Sequence, residues 1–166
     1  MKQDITRVDA KDADSVLGQN LQRFVTFIVG NQLFGIPNEK SQSILHLESI
    51  THIPLAPPEV EGLANIRGQI STVLRTRKRL GIDERSLDVD RGNVRVMGIS
   101  IEQDGNLYIL LIDRIGDIVD ISTSNRDNSA SAVEPRWREF TLGIYRLEHQ
   151  LMVALDVDRF IEIKMW

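Results

Sequence analysis

Four tight-turn signals, each lying between short apolar runs, constrain this chain more than any other feature: Gly30-Asn31, Arg67-Gly68, Asp104-Gly105 and Glu148-His149. Before the first, Phe24-Val25-Thr26-Phe27-Ile28-Val29 is β-branched and aromatic, and Gln32-Leu33-Phe34-Gly35-Ile36 returns after it. That pattern is a β-hairpin. Gly62 to Ile66 and Gln69 to Leu74 form the second, with Gly68 supplying freedom at the bend. Asn93 to Glu102 and Leu107 to Ile112 form the third, and a strand over Ile115 to Ile121 follows. Phe140 to Leu147 and Leu151 to Leu155 form the last, while Ile44 to Ser49 reads as a lone short strand. Many short strands punctuated by turns predict small β-barrels and exclude a helical or doubly wound fold.

The segments between the strands carry weaker signals. Residues 1–20 are polar and charged and are expected to be a flexible arm, with a short helix conceivable over Ala10 to Leu21. Pro54, Pro57 and Pro58 mark a rigid connection, with a helical turn expected over Pro58 to Glu61. Thr76 to Leu80 reads as a short helix stopped by Gly81, and Asp156 as the N-cap of a closing helix over Val157 to Lys164. Ser122 to Arg136 is loop-like. Ile82 to Gly92 is charged and poor in apolar residues, a seam with about five strands on each side. The expected division is therefore one barrel over about 21–90 and a second over about 91–166. Each is near the lower limit for independent stability, so a shared interface is expected.

Composition narrows the chemistry. The 166 residues include 20 Lys and Arg, 24 Asp and Glu, three His and no Cys. A net charge of −4 argues against a chain-wide phosphate-binding field. Without Cys there is no disulfide, thiolate nucleophile or Cys-ligated zinc. The longest apolar stretch, Leu107 to Ile112, is far short of the ~20 residues of a membrane span. A cytoplasmic protein with no membrane insertion is expected. No Ser-His-Asp order, phosphate-cradling Gly loop or paired-carboxylate cleft stands out, so neither an enzyme nor a cofactor is expected.

The order and spacing of certain residues resemble the CheW family, the coupling proteins of bacterial chemotaxis, and the homologous regulatory domain of their histidine kinase. The likeness runs from Phe24 to Ile161 through Phe24-x-x-Phe27-x-x-Gly30 and Phe34-Gly35-Ile36, then Pro54-x-x-Pro57-x-x-Val60-x-Gly62-Leu63-x-Asn65-Ile66-Arg67-Gly68. It continues through Arg77-x-x-Leu80-Gly81, Ile112-Asp113-x-Ile115-x-Asp117-Ile118, and Gly143 followed by Leu151 to Ile161. The resemblance implies a mainly β fold of two five-stranded SH3-like barrels side by side, with a few short helices. It implies a non-catalytic adaptor joining the helical tip of a chemoreceptor (a methyl-accepting chemotaxis protein) to a CheA-type histidine kinase, the tip seated in the groove between the barrels. An adaptor for another two-component or motility system is the alternative, and a nucleic-acid-binding barrel comes third. The chain departs from the family at Ser41 and Ser43, where Val and Glu are usual, at Arg75, where an Asp is usual, and at Ile109, where a Gly is usual.

The partner-binding candidates follow from both readings. Arg67, at a hairpin tip, offers a guanidinium fork to a carboxylate on a partner helix. Ile44 and Ile115 are candidates to line the groove, each competing with an ordinary core role. Asp117 reads as a strand-end acid, and Ser41, Ser43 and Arg75 occupy positions where partners are expected to touch. The basic run Arg75-Thr76-Arg77-Lys78-Arg79 has no interleaved aromatics for base stacking and reads as a solvated helix face, so no nucleic acid is expected. His46, Glu48 and His52 share strand parity but lack the spacing of a metal site, so no metal is expected.

Overall fold

The computed structural model describes residues 20–83, 96–129 and 133–164. The expected N-terminal arm and the conceivable helix over 10–21 lie outside them apart from Asn20 and Leu21, the latter beginning the first strand, and so does most of the seam. All four hairpins form where the turns predict. They are β1 (Leu21–Val29) with β2 (Gln32–Pro37), β4 (Val60–Ile66) with β5 (Gln69–Leu74), β6 (Val96–Gln103) with β7 (Asn106–Ile112), and β10 (Thr141–Arg146) with β11 (Leu151–Leu155). The lone strands are β3 (Ser41–Leu47), β8 (Arg114–Ser122) and the two-residue β9 (Arg126–Asp127). Helix α1 (Thr76–Leu80) ends at Gly81, whose φ of 64° is the left-handed stop expected of it. The closing helix α2 (Val157–Ile161) is shorter than predicted, and Asp156 caps it by accepting from the Arg159 N–H at 3.3 Å. The helical turn expected at Pro58 is instead a turn closed by Val60 N–H to Pro57 C=O at 2.9 Å, leading directly into β4.

The strands form two sheets, one in the order β8-β1-β2-β11-β10-β9 and the other in the order β3-β6-β7-β5-β4. Their hydrogen-bonded orders are open, so the two units are SH3-like sheets of six and five strands rather than closed barrels. The strand pairing does not follow chain order in both sheets. The second sheet is built from one continuous stretch, β3 to β7, whereas the first joins β1 and β2 to β8 through β11. The physical reason lies in β2: its second edge pairs in parallel with β11 through Leu33–Met152, Phe34–Val153 and Gly35–Ala154. The first and last hairpins therefore share a sheet, and each sheet joins its hairpins at one parallel seam, β2–β11 in the first and β5–β7 in the second.

Three buried layers follow from strand alternation. Phe24, Leu33, Tyr145 and Met152 fill the inside of the first sheet, and Leu47, Ala64, Val73, Ile109 and Leu111 fill the inside of the second. The largest layer lies between the sheets and draws Phe27 and Phe34 from the first, Ile99 and Leu110 from the second, Trp137 from the 3-10 turn Pro135–Phe140 and Phe160 from α2. Ile109 is accommodated by its neighbour on the same face: a Cβ at Gly98 would collide with Ile109 Cγ2. Replacing Phe34 by Ala removes a fully buried ring in contact with Phe27 and Trp137, and should cost about 3–5 kcal/mol. Because the layer is shared, thermal unfolding of that variant should remain one transition, coincident by far-UV circular dichroism and tryptophan fluorescence.

Candidate functional site

Within the basic run Lys78 is exposed, whereas the three arginines pair inside the chain. Arg75 donates through Nε to the Glu61 carboxylate, and both side chains are largely buried. Arg77 binds the Asp113 carboxylate and the Asp83 carbonyl, while Asp113 also accepts from the Gly30 N–H at 2.7 Å. Arg79 donates to the carbonyls of Phe160 at 3.0 Å and Glu162 at 2.9 Å, and its guanidinium carbon lies 4.4 Å from the centre of the Phe140 ring. These three cations are internal staples from α1 and its entry to β4, the β1–β2 turn and the end of α2. The acid-to-base change at Arg75 is therefore matched within the chain by Glu61, the extra residue where the β4–β5 register shifts. Arg75 is thus anchored within the chain, with 28% of its side chain still exposed.

The other candidates lie on strand edges and at a hairpin tip, and strand register decides which way each edge residue faces. Residues paired across antiparallel strands point to the same face. Ile44 pairs with Ile99 and Ser41 with Ile101, both members of the layer between the sheets. On β8, Ile115 pairs with Phe27 and Ile118 with Val25, again members of that layer. The three-residue step from Ile115 to Ile118 keeps one face only because β8 carries a bulge opposite Thr26. Thr26 holds the bulge by donating to the Asp117 carbonyl at 2.6 Å, and Gly116 leaves room for the threonine. β3 and β8 are the edge strands of their sheets. Ile44, Ile115 and Ile118 are thus core-facing residues carried past the rim of the core, with 46%, 37% and 62% of their surface exposed. Asp117 is exposed between Ile115 and Ile118 on β8, and Asp120 is held by Arg23 at 2.8 and 3.0 Å, which draws its carboxyl below the usual carboxylate range.

Arg67 stands at the hairpin tip between β4 and β5. Between β3 and the β4–β5 tip the second sheet stays open, leaving a mouth of about 490 Å³ bordered by Ser43, Ile44, His46, Asn65 and Arg67. Ser43 faces inward here, its hydroxyl 2.8 Å from that of the buried Ser100. Arg67 is exposed and sits at φ 51°, a left-handed conformation that few residues other than Gly and Asn adopt readily. The turn is fixed by the Asn65 side chain, which accepts from the Gly68 N–H at 2.8 Å. Sequence reasoning missed Ile118, whose neighbour Gly116 was the available signal, and Glu61, whose charge opposite to that of Arg75 was another. His46 and Glu48 line the mouth and His52 does not, and among the described residues no three His, Asp or Glu gather into a metal-sized group. Among the same residues, no helix is long and apolar enough to cross a membrane.

Known proteins resemble this chain in sequence and in fold. The family model of the CheW-like domain matches residues 23–164. The chemotaxis protein CheW of Treponema pallidum is 26% identical over 142 residues, covering 86% of this chain and 83% of that protein. CheW of Thermotoga maritima is 23% identical over 138 residues, covering 83% and 86%. Among solved structures, the scaffolding protein TtCheW from Thermoanaerobacter tengcongensis has a TM-score of 0.73 at 23% identity over 88% of this chain and 97% of that one, a likeness of fold.

The Arg75–Glu61 pairing makes a direct prediction. Arg75→Asp should set two carboxylates together in a largely buried place and cost about 1–3 kcal/mol. The swapped pair Glu61→Arg with Arg75→Asp should regain most of that loss, as read by urea denaturation.

Proposed function

Because the chain belongs to the CheW-like domain family, we propose that it is a non-catalytic chemotaxis adaptor that holds a chemoreceptor's helical tip and a CheA-type histidine kinase in one assembly. The observation that supports this most is the pair of apolar edges: β3 and β8 each present core-side isoleucines to solvent at the border of the layer joining the sheets. An amphipathic helix docks by laying its apolar stripe, repeating at i, i+3 and i+4, on such a surface. Ile44, Ile115 and Ile118 supply apolar contacts for it, Ser41 keeps its end of β3 small, and Asp117 adds a charge at the border. Arg67 offers a guanidinium fork to a carboxylate of a partner. The kinase's regulatory domain, which shares the fold, meets the adaptor elsewhere.

The mechanism is geometric. A shared apolar layer makes the two sheets one body, so a helix held at its border transmits its position to whatever else the adaptor holds. The expected cytoplasmic location fits this work.

A pull-down with a helical hairpin copied from a chemoreceptor tip tests the reading. Ile118→Asp should weaken capture more than tenfold, with the melting temperature moving little because the residue is mostly exposed. Undiminished capture by that variant would contradict the assignment of β8. Arg67→Asn is the informative change at the hairpin tip, since Asn removes the charge yet suits the left-handed backbone. It should weaken partner capture and leave the fold intact, by pull-down and circular dichroism.

A further inference from the structure

The outer edge of β4 is partly used by the chain itself. Thr51 and Leu63 exchange two backbone hydrogen bonds, Thr51 N–H to Leu63 C=O at 2.8 Å and Leu63 N–H to Thr51 C=O at 2.9 Å. Backbone groups on a strand alternate sides, so the N–H and C=O of Asn65 point the same way as those of Leu63. β4 pairs with β5 on its other side only, and among the described residues nothing bonds the outward backbone groups of Asn65. The intramolecular pairing thus stops one step short of the mouth. Two residues beyond Asn65 stands Arg67, exposed and with no ion-pair partner among the described residues. Across the mouth lies β3, which among the described residues is likewise unpaired on the side away from β6.

We infer that the mouth of the second sheet is a strand-addition site: an extended acidic peptide segment of a partner protein pairs with the open edge of β4 at Asn65 and sets a carboxylate on Arg67. An open edge provides main-chain hydrogen bonds to any extended segment, and a flanking charge selects among them. The mouth, at about 490 Å³, lies within the range of ligand clefts. The inference deepens the adaptor reading, since it names the form of segment that brings the carboxylate to Arg67. It assigns that carboxylate to an extended segment rather than to the docked helix.

The test uses the full chain and three synthetic nonapeptides. One alternates Glu with Thr and Val, the second has Lys in place of each Glu, and the third keeps the acids but has Pro at alternate positions, which removes main-chain donors. Binding is read by fluorescence anisotropy, and backbone pairing by amide hydrogen exchange at Asn65. The acidic peptide should bind and slow exchange at Asn65 at least tenfold, and both other peptides should bind at least tenfold more weakly. Arg67→Asn should weaken the acidic peptide by a similar factor. Ile118→Asp, which lies on the other surface, should leave this peptide's affinity unchanged while losing the receptor hairpin, so the two readings fail separately. Equal binding of the Pro peptide would show carboxylate capture without strand pairing and overturn the inference. Unchanged exchange at Asn65, or absence of binding by the acidic peptide, would overturn it as well.

Discussion

Phe27 and Phe34 from one sheet and Ile99 and Leu110 from the other are fully buried against a single layer, and neither sheet can leave that layer without exposing it to water. Everything else in the structure is arranged around this constraint. Central strands such as β2 and β7 are buried on both faces because each belongs to the shared layer on one side and to its own sheet's interior on the other. Each sheet alone is near the lower size limit for an independent core, and the shared layer lets the first and last hairpins form one sheet and the intervening strands β3 to β7 the other.

Charge adds registration to this apolar attachment. A five-residue helix, α1, carries two of the staples and is entered through a third at Arg75. The buried Trp137 adds a fourth by donating from Nε1 to the Leu80 carbonyl at 2.7 Å. Such bonds contribute modestly compared with the burial around them. Their directionality is what they add: an apolar layer alone tolerates sliding, whereas a guanidinium spanning two carbonyls does not.

The hairpins were legible because turn residues and β-branched runs act locally, as at Gly30-Asn31 and Asp104-Gly105. Pairing between hairpins was not, since the β2–β11 seam joins residues more than a hundred positions apart and leaves no local mark. The same distinction governs the surfaces. Ile44 and Ile115 were recognisable as candidates, but whether they face the core or solvent depends on bulges at Gln42 and Gly116, which shift every following side chain to the other face. Arg75 was legible as a change of sign but its internal partner was not, since Glu61 lies 14 positions away at the irregularity in β4. Arg67 kept the exposed hairpin-tip position foreseen for it, with a strained backbone that no residue count reveals.

The two surfaces proposed for partners are both edges: β3 and β8 at the border of the shared layer, and β4 at the mouth. They can transmit force only if the sheets behave as one body. Native-state hydrogen exchange tests that claim most directly, by comparing the slowest amides of β2 with those of β7 under increasing denaturant. One shared layer predicts that both sets exchange through the same global opening, with equal free energies and equal denaturant dependence. A lower free energy for either strand, reached by separate opening of its sheet, would contradict the account.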